Sequence, residues 1–467
     1  REGLLTWPEG NAWLTRRLAT PLGERLHTGR VVLRIDSGKH GVEVDAFNTA
    51  TQAIERWQAE QVVVALTHIA LWLTLASMGA GTLLWLWGGL TPVDLRLFDI
   101  YRSGDYALEL RLYFDLASVV VATVASVLIL ATSRFAQRYL HREPGFLRFF
   151  VLMLIFASGV MLLVLGGSYD LLLAGWEIVG WTSVLLVGFF HERQGPVRAA
   201  LRVLVTYRLC DIGLLVGAVA LHGWLHSTAY LDIFEHVRGA PGGGAALFVG
   251  LCLLFAAMGK SAQIPVGGWL PRAMEGPTAS SAVFYGGLSV HMGVYLLIRS
   301  APVLEHAPLV RLGIVGIGGV TAVMAALSGQ VSADAKSGLA YATISQVGLM
   351  FVEVGLGLPK LALLHLAAHS LLRYYQFLRT PSTLQDALYR RRAGGQAAMA
   401  FQAQAASPRQ RFLYRLAIER FAIEAVLDRW VARPLLSLAR ALGRREDALV
   451  GWLMGDSQAG KDQGHGN

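Results

Sequence analysis

Residues 67–93 run for 27 positions without one formally charged side chain. A helix rises about 1.5 Å per residue, so about 20 such residues cross the ~30 Å hydrocarbon core of a bilayer. Nine further apolar runs follow, at 116–133, 149–169, 171–190, 199–221, 245–263, 278–298, 309–327, 337–355 and 361–378. Inside lipid every backbone N–H and C=O must be bonded internally, so runs of this length read as helices. The expected fold class is an all-α polytopic membrane protein with about ten transmembrane helices. Composition agrees: 54% of the chain is apolar, 16% is charged and mean hydropathy is +0.47, against roughly 25% charged residues in a soluble domain. A single soluble globule, a disordered chain and a coiled coil are excluded.

The flanks differ. In residues 1–66, short β-rich runs at 31–35, 42–46 and 62–66 alternate with polar stretches, and 14–26 reads as a helix. This predicts a small soluble α/β fragment, followed by a transmembrane domain over 67–379 and a polar tail over 380–467. Within the tail, 408–445 places Phe412, Leu416, Ile423 and Leu427 at helical spacing among many Arg. That pattern suits an amphipathic helix on a membrane surface or a partner, or else a solvated helical tail. Residues 456–467 are expected to be disordered.

A net charge of +9 raises the question of nucleic acid. Because the basic residues gather at both ends and in loops between apolar runs, they point to membrane lipid instead. Cys210 and Cys252 lie in apolar runs with no metal-binding spacing, so packing accounts for them. The sequence starts on Arg1 without a signal-peptide pattern, which predicts a fragment or a misplaced start.

Of 41 basic residues only Lys39, Lys260, Lys336, Lys360 and Lys461 are Lys, leaving 36 Arg. Lys260 ends an apolar run, directly before a segment with Pro265, Pro271, Glu275 and Pro277 that predicts a discontinuous helix. Helices broken at membrane depth are tolerated where they line protein or water. Glu177 lies inside another run. A Glu/Lys pair of variable separation is a proton-transfer switch, which Arg, held protonated, cannot be. The alternative is an interfacial Lys that snorkels. His365, His369 and Arg373, at i, i+4 and i+8, share one helix face and read as a proton relay or as interhelical hydrogen bonding. His291 and Tyr285 follow the broken segment. Asp211 and Arg208 are placed to neutralise each other. Asp334 and Lys336 read equally as loop charges, and Glu353 is the weakest candidate. The candidate ion path is thus Glu177, Lys260, His365, His369, Asp211, His291, Lys336 and Arg373.

Three stretches resemble the antiporter-like proton-channel family, which includes the large membrane subunit of NADH–quinone oxidoreductase: GWEIVG at 175–180, MGKSAQIPVGGWLPRAMEGPT at 258–278 and LAYATISQVG at 339–348. The resemblance implies discontinuous helices, inverted repeats and a polar axis in which Glu177 and Lys260 are a channel pair. His365 and His369 match the family's His-x-x-x-His. Arg373 stands where the respiratory subunit has Lys, and Tyr285 where a His is usual. No later spans follow Leu378, so one ion path is expected rather than two.

The stretches at 98–106, 282–291 and 373–379 resemble the membrane subunit of a two-component inorganic-carbon (Dab-type) transporter. That resemblance implies ion-gradient-coupled bicarbonate/CO2 uptake with a large soluble, zinc-containing, carbonic-anhydrase-like partner. No cofactor or metal is then expected in this chain, which would be a multi-pass inner-membrane protein and not an enzyme by itself. The alternative is a proton-translocating subunit of NADH–quinone oxidoreductase or of a multisubunit cation/proton antiporter. Residues 1–66 resemble the interior of flavin-dependent amine oxidases but lack the glycine-rich turn that holds a flavin. A fusion or gene-model error near Leu66 is the expectation there.

Overall fold

The computed structural model describes residues 30–38, 41–59, 62–104, 106–239, 243–332, 334–380 and 407–453. It divides into two compact units, Arg1–Thr67 and His68–Asn467. In the first, β1 (Arg30–Gly38), β2 (Gly41–Asn48) and β3 (Ala53–Ala59) form an antiparallel sheet in chain order. The runs expected at 31–35 and 42–46 fall inside β1 and β2. The third, at 62–66, is not a strand: it opens the helix α1 (Val62–Trp87). Three consecutive Val favour a strand locally, but they continue into an uninterrupted apolar run, and a helix bonds its own backbone along all of it. The helix expected at 14–26 and the disorder expected at 456–467 lie outside the described residues.

Helices stand at all ten expected spans. Eight are long and apolar enough to cross a membrane: α1, α2 (Leu116–Tyr139), α3 (Phe146–Leu165), α4 (Tyr169–Val187), α5 (Gln194–Leu225), α7 (Thr278–Arg299), α8 (Pro308–Gln330) and α9 (Ala335–Gly355). The other two are α6 (Gly244–Lys260), which is shorter, and α10 (Pro359–Arg379), whose apolar character is diluted by His365, His369 and Arg373. Their ends are set locally. Asp115 caps α2 by accepting from the Ser118 N–H at 2.9 Å while the Ser118 hydroxyl accepts from the Asp115 N–H. Asp334 caps α9 through the Ser337 N–H at 2.8 Å. Helices α8 and α9 touch backbone to backbone. A Cβ on Gly318 would stand 2.5 Å from the Gly348 carbonyl, and one on Gly348 2.7 Å from that of Gly318, so only glycine permits this approach.

The segment between α6 and α7 is the predicted interruption. The chain leaves helix after Lys260, makes two tight turns at Gly267–Trp269 and Pro271–Glu275, and resumes at Thr278. Freed backbone groups find partners from side chains. The Trp269 indole donates to the Gly259 carbonyl at 3.0 Å, the Ile264 N–H donates to the Thr321 hydroxyl at 3.1 Å, and the Ser261 hydroxyl donates to the Val290 carbonyl at 2.8 Å. Helix α7 is the innermost span, buried along its whole window, and widens to a π-turn at Ser281–Gly287.

Two elements depart from the sequence reading. Between α1 and α2 lies an antiparallel hairpin, β4 (Val93–Ser103) and β5 (Tyr106–Phe114). The tail is not one amphipathic helix over 408–445. After α11 (Pro408–Ile418), Arg420, Phe421 and Ala422 take left-handed φ of 52°, 58° and 53°, and helix resumes at Ile423, leading to α12 (Arg433–Leu453). The break brings Glu424 into contact with Arg272 and Arg202, a tertiary interaction that overrides helical continuity.

The hairpin meets the bundle at a buried cation. Arg299, 3% exposed at the end of α7, donates to both carboxylate oxygens of Asp115, at 2.8 and 3.1 Å, and to the Tyr295 hydroxyl at 2.6 Å. The rings of Tyr113, Tyr230 and Tyr295 lie within 4.9–5.2 Å of its guanidinium. Replacing Asp115 by Ala leaves that charge buried and unpaired, and is expected to cost about 3–5 kcal/mol. The measurement is thermal unfolding in detergent, followed by reaction of buried Cys210 with a thiol dye.

Candidate functional site

Two polar clusters are built around the interruption and α7. The first surrounds Lys260, which is fully buried. Its ammonium donates to the Trp176 carbonyl at 3.2 Å and lies 4.2 Å from the Tyr207 ring centroid and 4.7 Å from that of Trp176. A Cβ on Gly180, one turn along α4, would come within 2.9 Å of the ammonium nitrogen. Glycine there is what admits the Lys side chain.

Glu177 does not reach Lys260 directly. Its carboxylate is bonded to Arg208 of α5, which also donates to Asp211 at 2.7 Å. Asp211, 4% exposed, accepts from the Trp176 indole at 2.5 Å. The expected Arg208–Asp211 neutralisation is present, yet Arg208 is shared with Glu177. An Arg bridge thus stands where a bare Glu/Lys pair was expected. Arg reaches both acids because i, i+3 spacing on α5 places Asp211 beside it while the guanidinium fork spans to α4.

The second cluster joins α7, α9 and α10. His291, fully buried, lies with its Nε2 2.9 Å from Nδ1 of His369. Arg373 donates from Nε to His369 Nε2 at 3.1 Å. A guanidinium has no acceptor, so His369 Nε2 is the bare nitrogen and its proton sits on Nδ1. That Nδ1 then donates to His291 Nε2, which leaves the His291 proton on Nδ1. Arg373 therefore orders both tautomers. His365 completes the row: its Nδ1 lies 2.9 Å from Glu353 and its Nε2 3.2 Å from Gln346. The His365 and His369 rings meet edge to face with centroids 6.0 Å apart, and no hydrogen bond joins them among the described residues.

The two clusters approach through Ser183 of α4 and Ser289 of α7, whose hydroxyls are 3.4 Å apart. Tyr285, on the π-turn, is buried with a hydroxyl that makes no hydrogen bond among the described residues. Lys336 and Glu275 belong to neither cluster. Both line a cleft at the end of the bundle, with Pro271 and Pro277, while Pro265 lines a smaller pocket closed by the tail. Sequence reasoning placed Glu353 last and did not weigh Gln346 or Tyr207. Glu353 stands twelve positions from His365, across a helix–helix turn, a spacing that carries no one-helix periodicity. Among the described residues no group of three or more His, Cys, Asp or Glu forms a metal site.

The long apolar helices, one of them interrupted beside a buried Lys, define a multi-pass membrane protein. Residues 168–393 match the model of the family described as NADH:quinone oxidoreductase/Mrp antiporter, transmembrane. The NAD(P)H-quinone oxidoreductase chain 5 of Synechocystis sp. is 30% identical over 349 residues, which are 74% of this chain and 50% of the relative. The NADH-ubiquinone oxidoreductase chain 5 of Rhizopus stolonifer is 35% identical over 298 residues, 63% of this chain and 45% of the relative. The chain spans about half the length of the curated relatives it matches. In the solved Mrp complex from Dietzia sp., one chain aligns with a TM-score of 0.60 at 28% identity, covering 68% of this chain and 36% of its own length. A chain of the archaeal membrane-bound sulfane sulfur reductase shares the fold, with a TM-score of 0.59 at 17% identity, 68% of this chain and 65% of that one.

Replacing Arg373 by Gln removes the obligate donor to His369. In 15N spectra of histidine-labelled protein, His291 and His369 are expected to show one tautomer each in the parent chain and a mixture in the variant. A mixture already present in the parent contradicts the ordering.

Proposed function

We propose that this chain is the proton-translocating, antiporter-like membrane subunit of a larger assembly of the NADH–quinone oxidoreductase or Mrp antiporter kind. The observation that carries this reading is Lys260: a fully buried ammonium at the end of an interrupted helix, held by a carbonyl and two aromatic faces, with Glu177, Arg208 and Asp211 beside it. Such a group changes charge by taking or giving one proton, and the break in the helix supplies the room for its partners to move. The hydrogen-bonded pairs His291–His369 and His365–Glu353, packed edge to face against each other, line up polar groups from α7 to α9. The similarity to chain 5 subunits and to an Mrp chain supports the same reading, and membrane partners follow from it.

The sequence also carries a second reading: that the same ion path energises inorganic-carbon uptake through a soluble, zinc-containing, carbonic-anhydrase-like partner. Its support is the likeness of 98–106, 282–291 and 373–379. The relatives favour the respiratory and antiporter reading over it. Rescue of a strain unable to grow in air-level CO2, on co-expression with such a partner, is what the carbon reading requires.

The direct test is proton flux into proteoliposomes holding the assembled complex, read with an internal pH dye under an imposed gradient. Lys260→Ala is expected to lower flux about a hundredfold, the low end of what a positioned proton-transfer group supplies. Lys260→Arg is expected to be no better, because Arg keeps its proton. Gly180→Ala, which crowds the ammonium, is expected to give an intermediate loss. Unchanged flux in Lys260→Ala removes Lys260 from the path.

A further inference from the structure

The cleft that holds Lys336 is not used by the ion path. It has a volume of about 630 Å³ and lies where α4 ends, α5 and α9 begin and the interrupted segment turns toward α7. Five cations converge on it: Arg193, Arg198, Arg202, Arg272 and Lys336. Only two carboxylates, Glu275 and Asp334, line the same space. Asp334 is occupied as the cap of α9. Arg202 and Arg272 share Glu424 of the tail, which lines the neighbouring pocket. Among the described residues, Arg193, Arg198 and Lys336 are in no ion pair with an acidic side chain within 4.0 Å. The walls are not uniformly polar, since Phe190, Met274 and Pro271 contribute apolar surface.

A positive membrane face alone does not account for this. Arg142 and Arg148 sit in the loop and first turn joining α2 to α3 on the same side without entering the cleft. Helix directions put the α2–α3, α4–α5 and α8–α9 connections on that side. Basic residues outnumber acidic ones there, whereas the hairpin side carries more acids, including Asp94, Asp99, Glu109, Asp115, Asp170 and Asp232. By charge asymmetry the cleft faces the cytoplasm. A concave site of clustered Arg and Lys with an apolar wall, at the level of the helix ends, matches the recognition of a phosphate group carried by an amphiphile.

We propose that this cleft binds a phosphate group, supplied by the headgroup of an anionic phospholipid, with Arg193 (over the Phe190 ring), Arg198 (donating to Gln194) and Lys336 as its cations outside any ion pair and Glu424 as an internal competitor for Arg202 and Arg272. The carboxylate of Glu424 occupies these two arginines as a phosphate oxygen would. Removing its charge is therefore expected to tighten binding, while removing the cations outside any ion pair weakens it. Opposite signs at one site distinguish recognition from general surface charge.

The test uses the full purified chain in a zwitterionic detergent. Three probes are titrated: short-chain phosphatidylglycerol, short-chain phosphatidylcholine and inorganic phosphate, with binding read by native mass spectrometry and by calorimetry. Phosphatidylglycerol is expected to bind, phosphatidylcholine not. Weaker but measurable binding of inorganic phosphate identifies the phosphate as the recognised group, and its absence places the acyl chain in the apolar wall. Arg198→Gln with Lys336→Gln is expected to lower affinity by about tenfold per cation removed. Glu424→Gln is expected to raise it severalfold, and added salt to reduce it. Thermal unfolding of each variant confirms that the chain is folded. Equal binding of the two lipids, or no change in folded Arg198/Lys336 variants, overturns the proposal. A flux defect in Lys260→Ala leaves it untouched, so the two readings fail separately.

Discussion

An ammonium group inside a helix bundle, with no exposure to water, has to be held entirely by the protein. Everything around Lys260 answers that requirement. The Trp176 carbonyl accepts one of its protons, and the faces of Tyr207 and Trp176 flank it. Gly180 leaves the volume for it. The helix that carries it stops at that residue, so the Gly259 carbonyl is freed and taken by Trp269. The interruption, the glycine and the aromatic pair thus form one solution to one desolvation problem.

Charge counting across the cluster shows why Arg208 belongs there. Glu177 and Asp211 bring two negative charges when ionised, and Arg208 and Lys260 bring two positive ones. The sum is zero only while Lys260 holds its proton. Arg208 is fixed in charge and bonded to both acids, so it cannot absorb the imbalance when Lys260 gives its proton up. The imbalance then falls on the carboxylates and on the distance between α4 and α6. In the function proposed above, a simple Glu/Lys pair would couple a proton to one separation, whereas the bridged arrangement would couple it to the packing of three helices.

How far the chain was legible follows the range of the signals. The ten apolar runs announced ten helices because each signal is local and long. Pro265, Pro271 and Pro277 announced the interruption for the same reason. His365, His369 and Arg373 declared a common face by their spacing, and α10 places them on it. The hairpin at 93–114 carries its signal in the alternation of Val93-Asp94-Leu95-Arg96 and of Leu108-Glu109-Leu110-Arg111 around Ser103-Gly104, a period of two that is short beside the long apolar runs flanking it. The run at 62–66 failed in the opposite way, since Val propensity is weaker than continuity with α1. The pairings between helices were beyond reach. Nothing local says that Arg208 reaches Glu177, that Glu353 meets His365, or that Glu424 meets Arg272 across 152 positions.

The choice of Arg rather than Lys at position 373 acquires a physical meaning from the second cluster. At position 373 a Lys could take part in proton transfer; Arg cannot, but its Nε–H is a permanent donor aimed at His369. The exchange replaces a carrier by an orienting group. Both histidines beyond it then hold their protons on the same side of the ring, so the row has a direction at rest. On the proposed path, a proton passed between His369 and His291 would reverse each ring in turn, and the permanent donor at Arg373 favours the return to the starting order.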